Sequence, residues 1–170
     1  PERFEQVAVR TGGALPPPRP GLGPQGAMVG FDFGQMNAAT LAALAALGPL
    51  RVTPWRMLLI EGATQAPALP GVITDPASPL LRVIACTGAP GCTQALQPTR
   101  ALARALAPHL SAPLHVSGCA KGCAHPGPAP LTLTATVEGF ALIRDGTAAD
   151  MPLSTHSMAD LIARPDILTE

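Results

Sequence analysis

Two short cysteine pairs, Cys86-Thr-Gly-Ala-Pro-Gly-Cys92 and Cys119-Ala-Lys-Gly-Cys123, constrain this chain more tightly than any other feature. An apolar run, Leu80 to Ala85, ends directly at Cys86, and a second, Leu114 to Ser117, ends one glycine before Cys119. Apolar runs of this length, bounded by turn residues, predict buried strands. Both pairs therefore follow the C-terminal end of a strand, the usual place for a site in layered α/β structure.

The rest of the composition narrows the function classes. With 21 prolines and 17 glycines in 170 residues the chain is rich in turns, yet short of the level at which disorder becomes the default. Eleven basic residues balance eleven acidic ones. Such a chain has no electrostatic footprint for nucleic acid or for an anionic membrane, and neither is expected as a partner. The apolar stretch Leu41 to Leu50 is far below the ~20 residues of a membrane span. The start, Pro1-Glu2-Arg3-Phe4, carries neither an initiator Met nor a signal-peptide layout, so a cytoplasmic fragment of a longer protein is expected.

Residues 1–26 read as a proline- and glycine-rich arm or linker, since prolines lack the backbone donor. Residues 27–70 follow as a first unit: a strand over Ala27 to Phe33, a helix from Ala38 to Leu47 capped by Asn37 and closed by Gly48, and an extended stretch from Leu50 to Ile60 bent near Pro54. This layout reads as a small βαβ-like unit. Residues 71–170 form the second unit. Its helix is expected over Thr93 to Ala107 with Leu96, Leu102 and Leu106 inward, its hairpin over Leu131 to Val137 and Phe140 to Arg144, and a short final helix over Ser157 to Ala163.

Four thiolates in two local pairs can surround one [4Fe–4S] cubane, because Gly and Pro let each loop bend around it. Structural zinc fits less well, since its knuckles favour two to four intervening residues and the first pair has five. Disulfides or free thiols are the remaining alternatives. Gly21-Leu-Gly23-Pro-Gln-Gly26 formally matches a dinucleotide loop, but it follows a proline run and opens a strand rather than a helix, so no nucleotide is expected there.

The spacing C-x5-C then C-x3-C at strand ends resembles the iron–sulfur half of the sulfite and nitrite reductase superfamily. Val-Ser-Gly-Cys119-Ala-Lys-Gly-Cys123-Ala-His-Pro, and the stretch from Ile73 into Cys86, look most like its precorrin-3B synthase family. The resemblance covers roughly residues 22 to 168. It implies an α+β architecture, a ferredoxin-like half-domain followed by an α/β sulfite-reductase-type iron–sulfur domain. It also implies a [4Fe–4S] cluster on Cys86, Cys92, Cys119 and Cys123. In this family the implied reaction is dioxygen-dependent hydroxylation and lactone formation on precorrin-3A, in aerobic cobalamin biosynthesis. The implied partners are that tetrapyrrole, an external electron donor, and an N-terminal half of the enzyme that is not evident here. A sirohaem-dependent sulfite or nitrite reductase is the alternative within the superfamily, and a noncatalytic iron–sulfur or zinc module the alternative outside it.

Other residues are candidates beside the cysteines. Lys121, the single lysine, lies between two expected ligands, where its charge would raise a cluster's potential or meet a carboxylate; a solvated loop lysine is the plain reading. His125 would hydrogen-bond a cluster sulfur or bind an additional non-haem iron, against a loop histidine held by Pro126. Arg51, Thr53 and Arg56 resemble the Arg-x-Thr segment that meets tetrapyrrole carboxylates in the superfamily, and guanidinium forks suit that role. Exposed strand arginines are the plain alternative. Trp55 reads as core, and His109 and His115 as residues flanking a turn.

Overall fold

A computed structural model of the chain describes residues 17–169. Residues 1–16, most of the expected arm, therefore lie outside the described residues. Two five-stranded sheets organise the rest, and the α+β class expected from the sequence is what is found.

The first sheet contains β1 (Gly21–Gly23), β2 (Gly26–Phe31), β3 (Leu50–Val52), β4 (Met57–Glu61) and β5 (Val72–Ile73), in the order β1-β2-β4-β3, with β5 also on β2. Every pairing is antiparallel. Here the sequence reading needs correction twice. Residues 21–23 are not part of an extended arm, because no proline interrupts them and they pair with β2 across a Pro24-Gln25 turn. Gly26 makes the turn possible: its φ is +133°, and a Cβ there would fall 2.0 Å from the carbonyl oxygen of Ile60. Nor is the unit βαβ-like. The chain reverses between Thr53 and Arg56, where Pro54 donates no hydrogen bond and Arg56 takes a left-handed φ of 59°, so β3 and β4 form a hairpin.

Helix α1 (Ala38–Ala45) connects β2 to this hairpin, and Asn37 Oδ1 accepts from the Thr40 N–H as its N-cap. The three-residue spacing of Leu41, Leu44 and Leu47 suggests one face, but only Leu44 is buried, against Ala27, Val29, Phe31, Leu58 and Ile60. Leu41 and Leu47 remain exposed.

The second sheet runs β10-β9-β8-β7-β6, from β6 (Val83–Ala85), β7 (Leu114–Ser117), β8 (Ala129–Ala135), β9 (Phe140–Gly146) and β10 (Ser154–His156). Strands β6, β7 and β8 are parallel neighbours, and the rest pair antiparallel. Helix α2 (Arg100–Leu106) crosses from β6 to β7. It starts seven residues later than expected, because Pro98 would remove an intrahelical hydrogen bond, and Leu96 is left 51% exposed rather than packed. Helix α3 (Met158–Ala163) follows β10 and is capped by Ser157.

Alternation along the parallel strands gives this sheet two different faces. Val83, Ala85, Leu114, Val116, Leu131 and Leu133 enter a core with Leu102, Leu106 and Leu161 of the helices. The opposite face carries His115, Ser117, Thr132 and Thr134, all buried. Buried polar groups need partners. Thr132 and Thr134 donate to the carbonyls of Gly146 and Ala148 at 2.9 and 3.0 Å. Parallel strands normally need a helical crossover, but β7 reaches β8 through the irregular segment 118–128 alone, which holds Cys119 and Cys123.

Candidate metal centre

Cys86 continues the β6 ladder by one step, its N–H bonding the Val116 carbonyl at 3.0 Å. Strand parity puts its side chain on the polar face. There Cys86 Sγ lies 3.9 Å from His115 Nε2 and 3.5 Å from Ser117 Oγ, while Ser117 Oγ–H donates to the Cys119 carbonyl at 2.7 Å. Burial is the largest influence on the Cys86 thiol and pushes it up. Hydrogen bonds from His115, Ser117 and the backbone of Gly118 and Ala124 outweigh that effect and lower it to about 6. Two of those donors flank the Cys119–Cys123 segment, so the second loop folds over the sulfur of the first.

Close approach of the loops requires glycine at two places. A Cβ on Gly118 would fall 2.8 Å from Ala95 Cβ and 3.6 Å from the Cα of Gly88. On Gly88, whose φ is +72°, it would fall 2.6 Å from the Thr99 nitrogen. Thr99 is itself buried and donates to the Cys86 carbonyl at 2.6 Å. Cys92 is tied by its N–H to the Gly88 carbonyl at 2.9 Å, and the Leu96 N–H bonds the Gly118 carbonyl at 2.9 Å, bridging the loops.

All four thiols are free; Cys86, Cys92 and Cys119 are half-buried and Cys123 is exposed. Among the described residues no three Cys, His, Asp or Glu side chains gather closely enough to hold a single ion. A tetrahedral ion needs its ligands ~2.3 Å from one centre, whereas a cubane takes one thiolate at each of four separate irons. The donor set, four soft sulfurs on adjoining loops at the ends of neighbouring parallel strands, fits the cluster and presents no closed single-ion cage.

The other sequence candidates fall in several places. Lys121 is exposed on the loop. His125 is half-buried, its Nε2 3.1 Å from the Pro128 carbonyl and its ring edge-on to His115 at 5.7 Å between centroids. Arg51 is paired with Glu61 on the exposed β3–β4 edge. Thr53 serves the turn, its hydroxyl donating to the Met57 carbonyl at 2.8 Å. Arg56 alone of that segment reaches the cysteine loop, Nη2 donating to the Ala124 carbonyl at 3.0 Å. Trp55 is 44% exposed rather than core.

Three residues near Cys86 carry more than the sequence suggests: Ser117 and Arg100 draw no notice there, and His115 reads only as flanking a turn. His115 and Ser117 are the polar half of Leu114-His115-Val116-Ser117, an alternation that marks a polar strand face. Arg100 stands at the start of α2, where burial and then Arg104 hold its guanidinium below its ordinary range while Cys86 acts in the opposite direction. Its Nη1 bonds Gln35, its buried Nε has no partner among the described residues, and Phe33 lies 6.0 Å below it and 5.2 Å below Arg104. Arg104 also pairs with Asp32 at 2.8 Å, and both lie on an open cavity of about 680 Å³ that no cysteine lines.

No protein-family model matches the chain. It is 33% identical to a precorrin-3B synthase from Sinorhizobium sp over 159 aligned residues, covering 80% of this chain and 35% of that protein. Its fold matches that of the Mycobacterium tuberculosis NirA protein with a TM-score of 0.59 at 20% identity, over 89% of this chain and 38% of that one. The chain thus spans little more than a third of either protein's length. The resemblance to precorrin-3B synthase read from the cysteine motifs extends through most of the sequence, and the α+β fold is shared with NirA.

Proposed function

We propose that this chain is the iron–sulfur part of a tetrapyrrole-acting oxidoreductase, a precorrin-3B synthase, with the antiparallel sheet over residues 21–73 as its ferredoxin-like half-domain and the sheet and helices that follow as its [4Fe–4S] domain. The observation that carries the reading is the placement of Cys86: its sulfur lies 3.5 Å from Ser117 Oγ, which donates to the Cys119 carbonyl at the start of the loop that bears Cys119 and Cys123. Cys86, Cys92, Cys119 and Cys123 would hold the cluster, which when bound supplies one-electron transfer. The similarity to a named precorrin-3B synthase supports precorrin-3A as the tetrapyrrole.

In that reaction one oxygen atom of dioxygen enters the substrate and the other leaves as water, with two electrons and two protons from an external donor. A ring acetate then closes the lactone. This chain's own groups bind and orient. Lys121, exposed at the cluster loop, is suited to meet a substrate carboxylate, and Arg56, whose Nη2 bonds the Ala124 carbonyl just past Cys123, brings a guanidinium to the end of that loop. His125, fixed by Pro128, would border the same loop. No helix among the described residues is long and apolar enough to cross a membrane.

Anaerobic reconstitution tests the metal part: about four iron and four sulfide per chain are expected, and stoichiometric zinc without sulfide refutes it. Full-length enzyme given precorrin-3A, reductant and labelled dioxygen should place one label in the product. The second reading, a sirohaem-dependent sulfite or nitrite reductase, draws on the fold shared with NirA. Stoichiometric sirohaem with sulfite- or nitrite-dependent oxidation of a reduced viologen would establish it instead.

A further inference from the structure

His115 is a costly residue for the centre of a parallel strand. It is completely buried between Ile84 of β6 and Thr132 of β8, a position that Val or Ile would fill without a polar group to satisfy. The threonines on the same face bond backbone carbonyls, whereas His115 Nδ1 is buried with no partner among the described residues. Its other nitrogen, Nε2, points at one group, Cys86 Sγ.

The surroundings hold the ring in that direction. His125 packs edge-on to it with an interplanar angle of 74°, and His125 Nε2 is already engaged by the Pro128 carbonyl, which leaves the sulfur to His115. Gly122, at φ +59°, lets the cysteine loop lie directly on the imidazole: a Cβ there would come within 3.7 Å of His115 Cε1 and 3.2 Å of Ala148 Cβ. Ser117 is the weaker second donor, since its single hydroxyl hydrogen is shared between the Cys86 sulfur at 3.5 Å and the nearer Cys119 carbonyl at 2.7 Å.

We propose that His115 is a positioning residue that donates its Nε2–H to the Cys86 thiolate and thereby raises the reduction potential of the cluster that Cys86 would hold. The inference rests on the cluster reading given above. Reduction adds negative charge to a four-thiolate site, and a hydrogen bond to a ligand sulfur stabilises the charge-rich state more than the oxidised one. The tautomer required carries its hydrogen on Nε2 and leaves Nδ1 as a bare acceptor, so no second N–H is buried without a partner. Donation from within the strand ladder also fixes the Cys86 rotamer from below.

The test uses the reconstituted full chain and its His115→Phe and His115→Gln variants. Phe keeps a planar ring and removes the donor, whereas Gln restores an N–H near the Nε2 position. Iron and sulfide are counted first, and the cluster is then titrated by potentiometry followed by electron paramagnetic resonance. His115→Phe should shift the reduced-to-oxidised ratio at a fixed potential at least tenfold toward oxidised, a fall of ~59 mV for one electron, and His115→Gln should recover most of it. Wild-type protein carrying isotopically labelled histidine nitrogen should show a weak nitrogen coupling to the reduced cluster that His115→Gln lacks; this readout stands even if His115→Phe does not fold. Normal iron and sulfide with an unchanged potential, or no histidine coupling in the wild type, overturns the inference alone. Failure of the wild type to take up iron and sulfide overturns the cluster reading and this inference with it.

Discussion

Arg56 Nη2 donates to the carbonyl oxygen of Ala124 at 3.0 Å, a hydrogen bond between residues 68 apart in sequence. It links the β3–β4 turn of the antiparallel sheet to the loop just past Cys123. Arg56 also sits at φ 59°, packed against Gly34, where a Cβ would fall 3.1 Å from Arg56 Cβ. Its backbone is strained while its side chain clamps a loop.

These two effects separate by substitution. Arg56→Ala loses the clamp and keeps the left-handed backbone; Arg56→Gly loses the clamp and relieves it. Glycine should be the more stable variant by about 1 kcal/mol in denaturant unfolding. Both should show faster hydrogen exchange at residues 123–125 than the wild type, and unchanged exchange there would mean that the side chain does not hold the loop.

Replacing Cys86, Cys92, Cys119 or Cys123 singly by Ser should sharply reduce iron and sulfide after reconstitution, because a hard oxygen is a poor substitute for a soft thiolate. Cys86→Ser should be the most severe, since that sulfur faces both His115 and Ser117 of β7. Full iron content in any variant removes that cysteine from the ligand set.

Gly88→Ala places a methyl 2.6 Å from the Thr99 nitrogen at a φ that L-residues avoid, whereas Gly118→Ala meets only Ala95 Cβ closely, at 2.8 Å. A backbone atom held by the Thr99 to Cys86 hydrogen bond gives way less readily than a side-chain methyl. Gly88→Ala should therefore cost more stability, on the order of 2–3 kcal/mol, and should lower cluster uptake further. Equal stability of the two variants would contradict this.

At the N-terminus of α3, Ser157 Oγ–H donates to Asp160 Oδ2 at 2.7 Å and holds that carboxyl below its ordinary range, a small desolvation cost opposing. A depressed carboxyl stabilises the fold above its unfolded value of ~3.9 and loses that contribution as pH falls through the lower folded value. Ser157→Ala should return the Asp160 titration, followed by NMR, toward the ordinary range and remove this contribution to acid sensitivity.

The elements that the sequence alone determined are those set by neighbours in the chain. Asn37 and Ser157 cap helices three residues ahead, the Phe140 strand returns on the Leu131 strand across a tight turn, and Val83 to Ala85 and Leu114 to Ser117 deliver cysteines from strand ends, although the first half of the expected Leu80 to Ala85 strand is a 3-10 turn over Pro79–Arg82. Pro98 was an equally local signal, and it overrides the helical pattern of residues 93–99 because a missing donor outweighs side-chain periodicity. Tertiary structure decided the rest. Apolar patterning states that a strand is buried but not the direction in which it pairs, so the β3–β4 hairpin and the strand at Gly21–Gly23 appear only once partners are in register. The same holds at the centre. His115 became the neighbour of Cys86 because β6 and β7 align in parallel, Arg100 because α2 crosses between them, and Arg56 because two sheets meet. Each of these contacts joins residues at least 14 apart, and no local periodicity encodes a hydrogen bond or charge that forms only when separate strands pack together.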